Sequence, residues 1–528
     1  MLKLKEESLN WSLKHINKYG DSYVFPKLFE FEAINENWDD VKNHLLTTDV
    51  YSNGVRPYRT TISPKSNVGF RICTQLDPLD SIVYNALIYE IYEEIENKRI
   101  PAVHDVVYSF RLNPESDGTL FDPKYNWKEY EDKTRDLLES EEYSYVVMTD
   151  ITDFYPSIYL HNIETHLREC VRLSGKNAHA ETLINIIKAM HISQTHKGLP
   201  IGPQFSRPIA ELILNEIDTI LIENDIMFIR YVDDYRLFCK SENDAYKSLA
   251  FLAQKLYDIL NLKLNEQKTK ILTTESFISK HLYLYKDREK DRVIEEFYEL
   301  LDKLGFSRDF YGEIDLSLLG EEEIKKLHEL NIFELLEEEL DKDDFDIGFT
   351  KFLIGNLARF DNTEVAELIL TEENMRKLFP IIKTIINHLE LVRSYSEEQK
   401  HEIGNKVLSL LQSSFMSELE FNRSWLLHLF SNNDEWNNKH FFSELIKKYH
   451  DNFTVRELIL DLGRSKNHRY FRENKFSIIS DPWVRRAFLV AISCLPKDER
   501  NPYYKSRGLT QRDLLEQVIE KWAQKNSF

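Results

Sequence analysis

The sequence predicts an α+β core followed by an all-α tail. Two observations carry this. Between residues 143 and 260 the signals run strand, helices, hairpin, helix, and beyond about residue 285 strand signals fade while helical segments follow one another. A third sets the scale: 528 residues at 42% hydrophobic content, with only 15 Gly and 15 Pro, make a globular chain of about three domains, not a disordered or collagen-like one.

The first strong element is a helix from Asp77 to Asn97, where Ile82, Leu87, Ile88, Ile91 and Ile95 recur near helical spacing. The stretch Asn113 to Glu142 is charged and punctuated by Pro114, Gly118 and Pro123, and reads as an insertion or mobile connection. Tyr143 to Met148 (YSYVVM) is apolar, β-branched and aromatic; it reads as a buried strand with Asp150 at its exit. Ile158 to Cys170, Ala180 to Ile192 and Gln204 to Glu223 read as helices, and Asp244 to Leu260 as another. Phe228 to Cys239 (FIRYVDDYRLFC) is two apolar runs about an Asp-Asp pair, a hairpin signal. The tail offers helices over Ile324 to Leu340, Thr363 to Leu370, Ile381 to Val392, Ile403 to Leu419 and Leu514 to Ala523. Short paired helices suggest a solenoid or bundle, without a fixed-period repeat.

Lys and Arg number 68 against 89 Asp and Glu, a net charge of −21, which argues against attachment to DNA or membranes by bulk positive charge. The four cysteines form no CxxC pair, which fits a reducing compartment. Charges run through the start, MLKLKEESLNWSLK, and no uncharged apolar window is long enough to span a bilayer. A cytoplasmic protein without membrane partners is the expectation.

Three carboxylates stand where strands end or turn: Asp150, and the pair Asp233 and Asp234. Any one alone would read as a turn cap. Carboxylates from neighbouring strands supply the hard oxygen ligands that two Mg²⁺ ions need when held about 4 Å apart for phosphoryl transfer.

With these residues in place, the sequence resembles the reverse transcriptases. YVDD (Tyr231 to Asp234) looks like the YxDD box, and DITDFYPSI (Asp150 to Ile158) like the motif supplying the first metal-binding Asp. KGLPIGPQFSRPIAE (Lys197 to Glu211) is similar to the glycine-loop motif, and LNLKLNEQKTKI (Leu260 to Ile271) to a later motif with its Lys. Upstream, Pro64 to Leu87 resembles the fingers segment and VYSFRL (Val107 to Leu112) a short box before the palm. The ordered set is specific where any single motif is weak.

The resemblance implies two Mg²⁺ ions, with Mn²⁺ as an alternative, on Asp150, Asp233 and Asp234, and Lys268 as a donor to leaving pyrophosphate. A solvated helix-end Lys is an equally weighted reading of Lys268. Tyr155 falls at the family's sugar gate; Phe154 beside it is grouped with the nucleotide site, although palm-core packing describes its ring better. Lys65 and Arg71 match basic finger positions near the triphosphate, with surface pairing as the alternative for Lys65, and Gly202 and Gln204 belong to the nucleotide-binding glycine loop.

Two departures matter. Ile201 stands where most reverse transcriptases have Gln, and Arg207 replaces the usual Pro after Ser206. This GLPxGPxxSR form resembles the bacterial abortive-infection and phage-defence reverse transcriptases, in which a helical repeat follows the polymerase core. The implied architecture is right-hand fingers (1–112), palm (113–284), a thumb-like helical segment (285–345) and a HEAT-like helical repeat (346–528). No primer-grip segment is evident near Phe277 to Tyr285. The implied activity adds dNTPs to a hydroxyl, as a template-independent reaction or from a protein tyrosine such as Tyr51, Tyr58, Tyr503 or Tyr504, giving single-stranded DNA attached to protein. A homo-oligomer and a non-coding RNA are the further partners implied. The alternatives are a templated enzyme of retron or intron type and an idle scaffold that binds RNA or a partner.

No P-loop, dinucleotide, zinc-protease or serine-hydrolase motif occurs. From Arg464 to Arg512 twelve basic residues face four acidic ones, with Tyr470, Phe471, Trp483, Tyr503 and Tyr504 interleaved. That mixture suits single-stranded nucleic acid slightly better than a helical scaffold.

Overall fold

A computed structural model describes residues 1–190, 197–278, 331–343, 345–436, 442–474, 479–504 and 513–528. The chain divides into two compact units, one of Met1–Tyr23, Trp38–Arg59 and Thr74–Arg288, the other of Val24–Asn37, Thr60–Cys73 and Glu289–Phe528. Most of the expected thumb-like segment 285–345, and the primer-grip region beyond residue 278, lie outside the described residues.

The first elements are α1 (Glu6–Tyr19) and a two-stranded sheet of β1 (Arg59–Pro64) and β2 (Phe70–Gln75). Helix α2 (Pro78–Lys98) starts where the Asp77 carboxylate accepts from the Leu79 N–H, with Pro78 pre-set for the first turn. It is buried on nearly all sides because α1 packs on it, as does α4 (Leu160–Val171). After α3 (Trp127–Glu139) comes the palm sheet, antiparallel in the order β4-β5-β3-β6. Its strands are β3 (Tyr145–Asp150), β4 (Phe228–Tyr231), β5 (Asp234–Cys239) and β6 (Lys270–Thr273). Helices α5 (Asn177–Met190), α6 (Ser206–Glu223) and α7 (Glu242–Lys255) complete the unit; α4 lies against α5 and α6, and α7 against β3 and β5.

The expected strand, helices, hairpin and helix are therefore present. The stretch Asn113 to Glu142 is a correction: it holds α3, capped by the Asn126 side chain accepting from the Glu129 N–H. The helix was hidden because its buried positions, Tyr130, Thr134 and Leu138, form a stripe of only three residues, one of them polar. Tyr130 and Leu138 join Val146, Ile229 and Phe238 in one core cluster, so α3 covers one face of the palm sheet.

In the second unit, α8 (Ile347–Arg359), α9 (Ile382–Leu391), α10 (Glu420–Asn432), α11 (Asn452–Arg464), α12 (Pro482–Ala491) and α13 (Leu514–Lys525) each pack on the next in line. That is a helical-repeat stack. Successive starts fall between 30 (482 − 452) and 38 (420 − 382) residues apart, and this irregularity erased the fixed period from the sequence. Gly463 permits one close approach: a Cβ there would meet Ala491 Cα at 2.7 Å. Arg456 donates to Glu30 at 2.7 Å and pairs with Glu457, which also accepts from Ser431 at 2.6 Å.

The basic stretch at 464–512 is a second correction. Phe471, Trp483, Tyr503 and Tyr504 are core residues, and the two tyrosine hydroxyls donate to the carbonyls of Phe471 and Leu489. Arg472 forms a two-bond pair with Glu499 at 2.6 Å, Arg485 pairs with Glu516, and Arg500 donates to the Ser493 carbonyl. These residues join helices, and no stacking platform exists among the described ones. Lys475, Lys505, Arg507 and Arg512 lie outside them. Among the described residues no helix is long and apolar enough to cross a membrane.

Candidate active site

Strand register builds the site. Asp150 ends β3 directly opposite Asp234, which begins β5; Met148 faces Arg236 and Val146 faces Phe238 two and four residues further in. Side chains alternate along a strand, so Asp150 and Asp234 emerge on the same sheet face as Val146 and Phe238, the face covered by α3. Asp233 sits in the β4–β5 turn, and its carbonyl accepts from the Ile151 N–H at 3.2 Å. Ligand oxygens of Asp150, Asp233 and Asp234 all lie within 4.8 Å of one another.

The turn is held from beneath. Val232 has φ 55°, a left-handed conformation that a β-branched residue rarely adopts. Its N–H donates to Ser109 Oγ at 2.9 Å, and its carbonyl accepts from Arg230 at 2.7 Å. Arg230 is fully buried and pairs with Asp218 at 2.5 Å and Glu211 at 3.1 Å, both on α6. Ser109 donates to Glu211 at 2.6 Å, Arg99 donates to Glu211 at 2.9 Å, and the Tyr235 hydroxyl donates to Asp218 at 3.2 Å. Buried charges are tolerable only when paired in this way. Sequence reasoning missed these supports, although a signal existed: Glu211 and Asp218 stand seven apart, two turns on one face, among Ile209, Leu212, Ile213, Leu214, Ile217 and Leu221.

Lys268 is exposed, but it stands in the turn before β6 and not at a helix end. The loop before β6 is tied to β3 by Asn265 N–H donating to the Asp150 carbonyl at 2.7 Å and Thr152 N–H to the Lys263 carbonyl at 2.8 Å. This places Lys268 Nζ 2.7 Å from Asp150 Oδ2.

Burial pushes the Asp233 carboxyl up to about 7, reinforced by repulsion from Asp150 and Asp234. Asp234 is pushed up to about 6, first by burial and then by Asp150, against the opposing charges of Lys268 and Arg236. Burial pulls Lys268 down, but bonding to Asp150 and the charges of Asp234 and Asp233 leave it raised. Three crowded oxygen donors with one ammonium between them form an under-neutralised anionic cluster, which fits hard divalent cations such as Mg²⁺.

The remaining expected residues lie on other elements of the chain. Phe154 is a core ring edge-on to Tyr155, their centroids 5.5 Å apart. Burial raises the Tyr155 phenol well above its ordinary range; Arg207 opposes the shift and Asp233 adds to it, so both charges are felt there. The Tyr155 carbonyl accepts from the Leu199 N–H at 2.8 Å, which docks the glycine loop on this turn. Gly202 has φ 120°, and a Cβ would meet the Thr74 carbonyl oxygen at 2.6 Å, so only Gly fits. The Ile201 carbonyl accepts from the Thr74 N–H at 2.7 Å: at this departure from the family pattern, the backbone secures the loop. Gln204 is buried, and its Oε1 has no partner among the described residues. Lys65 lies exposed at the tip of the β1–β2 hairpin and Arg71 half-buried on β2, both within the second compact unit.

Residues 64–297 match the family model for reverse transcriptase (RNA-dependent DNA polymerase). No curated protein matches the sequence. Similar solved structures include an apo telomerase from Candida tropicalis truncated from its C-terminal domain, at 12% identity and TM-score 0.30 over 45% of this chain and 55% of that one. Telomerase from Candida albicans in complex with a TWJ fragment of telomeric RNA aligns at 10% identity and TM-score 0.33, over 79% of this chain and 70% of that one. Telomerase from Candida tropicalis with the same kind of RNA fragment aligns at 12% and 0.33, over 93% and 68%. The chain thus spans about half the length of the first of these structures. The family match covers 234 of the 528 residues, the part of the chain that holds Asp150, Asp233, Asp234 and Lys268.

Proposed function

We propose that the reverse transcriptase domain at residues 64–297 adds deoxynucleotides from dNTPs to a hydroxyl group, releasing pyrophosphate, as a cytoplasmic enzyme of bacteriophage defence. The observation that carries the chemistry is the cluster of Asp150, Asp233 and Asp234 within 4.8 Å, with Lys268 Nζ 2.7 Å from Asp150. Two Mg²⁺ ions, or Mn²⁺ in their place, would be held by these carboxylates, and when bound supply activation of the hydroxyl and neutralisation of the triphosphate. The protein's own part is positional and electrostatic. Asp150 and Asp234 present oxygens from adjacent strands, the Val232 turn aims Asp233 at them, and Lys268 keeps a proton donor beside the cluster for the leaving pyrophosphate. Tyr155 would serve as the floor on which the sugar rests, as the family resemblance implies.

The defence role rests on the GLPxGPxxSR form of the glycine loop and on the helical-repeat stack of the second unit. A protein hydroxyl as starting point is part of the same reading, as are a homo-oligomer and an RNA partner. Of the four tyrosines considered, Tyr503 and Tyr504 are buried with their hydroxyls donating to carbonyls, and Tyr58 donates to the Met190 carbonyl at 3.0 Å. Tyr51 is 46% exposed and is the first to test.

The test is incubation of the purified chain with single labelled dNTPs and Mg²⁺, with and without RNA. Label that survives nuclease but not protease supports protein attachment. Label that requires RNA supports a templated enzyme instead. No label in the wild type, or equal label in Asp150→Asn, overturns the enzymatic reading.

A further inference from the structure

Arg207 has no role in the proposed chemistry. Its guanidinium carbon lies 4.5 Å from the Tyr23 ring centroid and 4.6 Å from that of Phe110, so two aromatic rings hold the cation. Among the described residues no carboxylate pairs with its side chain and no acceptor meets its guanidinium N–H groups. The nearest acid along its helix, Glu211, is already committed to Arg99, Ser109 and Arg230. The residue is half-buried, which leaves part of it open to solvent. Its charge acts directly on the Tyr155 phenol, which also feels Asp233.

A cation in this situation is pre-organised for one kind of ligand. Two rings this close to the cation already occupy the space a nucleobase would need to stack on it. Its N–H donors form a planar fork that matches two oxygens of one anion. The desolvation and ordering of the side chain have been met by Tyr23 and Phe110, so little rotamer freedom is lost on binding.

We infer that Arg207, held by the Tyr23 and Phe110 rings in the first turn of α6, is a docking point for a phosphate oxyanion. The inference rests on the proposed polymerase reading for what brings phosphate there. Two sources share the chemistry: the triphosphate of an incoming dNTP and the backbone of a nucleic-acid strand.

The experiment compares wild type, Arg207→Gln and Arg207→Lys, with thermal melting as the check on folding. Two probes are used, dGTP with Mg²⁺ by calorimetry and a labelled single-stranded RNA by anisotropy at several salt concentrations. Arg207→Gln is expected to weaken one probe about tenfold, about 1.4 kcal/mol. Arg207→Lys should recover part of that loss, because an ammonium restores charge without the fork. Loss confined to dGTP assigns the triphosphate. Loss confined to RNA, with the salt slope reduced by about 0.7, assigns a strand phosphate. Folded Arg207→Gln that binds both probes like wild type overturns the inference, as does a wild type that binds neither. If Arg207→Gln fails to fold, the comparison passes to Arg207→Lys, and unchanged binding of both probes by that variant overturns the fork. Because binding is read without turnover, a wild type that binds through Arg207 yet incorporates no dNTP would sink the polymerase reading and leave the anion site standing.

Discussion

The Ser109 hydroxyl accepts from the Val232 N–H at 2.9 Å while donating to Glu211 at 2.6 Å, and so connects the turn of the YVDD hairpin to a buried carboxylate of α6. Val232 sits at φ 55°, so the conformation that aims Asp233 is maintained by its surroundings, not preferred by the residue. Ser109→Ala should leave the Val232 N–H without its partner, a penalty of about 1 kcal/mol, and loosen the turn. The expected result is a kcat lowered roughly tenfold, the scale of about 1.4 kcal/mol at the transition state, with KM for dNTP little changed. Steady-state incorporation assays beside thermal melts would separate this from simple unfolding.

Asp233→Asn should abolish incorporation and yet stabilise the metal-free protein. The folded carboxyl is raised to about 7 by burial and by its acidic neighbours. Its ionised form is therefore disfavoured by folding, and the penalty grows as pH rises from the ordinary 3.8 through 7. Removing the charge removes the penalty, so the melting temperature at neutral pH should rise. Added Mg²⁺ should raise the melting temperature of wild type more than that of the variant. A variant less stable than wild type in chelator would contradict the electrostatic account.

Lys268→Ala separates chemistry from stability. Its side chain is 51% exposed, and a pair with that much water contributes only about 0–1 kcal/mol. Melting should barely move, while the incorporation rate falls on the order of 100-fold if Lys268 serves as proton donor. A rate within twofold of wild type would return Lys268 to a purely electrostatic partner of Asp150.

Two glycines with positive φ give an internal control. Gly202→Ala places a Cβ 2.6 Å from the Thr74 carbonyl oxygen, whereas at Gly54 nothing lies within 4 Å. Gly54→Ala should lose only about 1 kcal/mol, the strain of the backbone alone. Gly202→Ala should lose more and should also lower activity, since the glycine loop is docked on the turn that carries Tyr155. Denaturant titrations of both variants read the difference directly.

The second unit carries a pH dependence of its own. His388 is buried, its Nδ1–H donates to the Ile354 carbonyl at 3.0 Å, and burial pulls its pKa down to about 4. The unfolded chain therefore binds a proton that the fold refuses, and the stability tied to neutral His388 is complete above 6.5 and drains as pH falls toward 4. The span corresponds to about 3 kcal/mol. His388→Asn, which keeps a donor for Ile354, should flatten the fall in melting temperature over that window; an unchanged slope would assign the acid sensitivity elsewhere.

Local patterns in the chain determined a large part of this protein. Apolar runs that stop at Asp150 and at the Asp233–Asp234 pair marked the palm strands, because a buried strand needs β-branched and aromatic residues and its exits accept charge. The motif order identified the three carboxylates. Tertiary structure alone decided the rest. Helix α3 buries only three side chains, too few to leave a periodic trace, and the repeat stack varies its spacing beyond what a fixed period can register. Tyr503, Tyr504 and Trp483 looked like a nucleic-acid platform and are core, since composition cannot say which way a ring faces. The supports of the Val232 turn come from Ser109, Glu211 and Arg230, as far as 123 residues from it in sequence. Such contacts depend on where the chain returns, which no local pattern specifies.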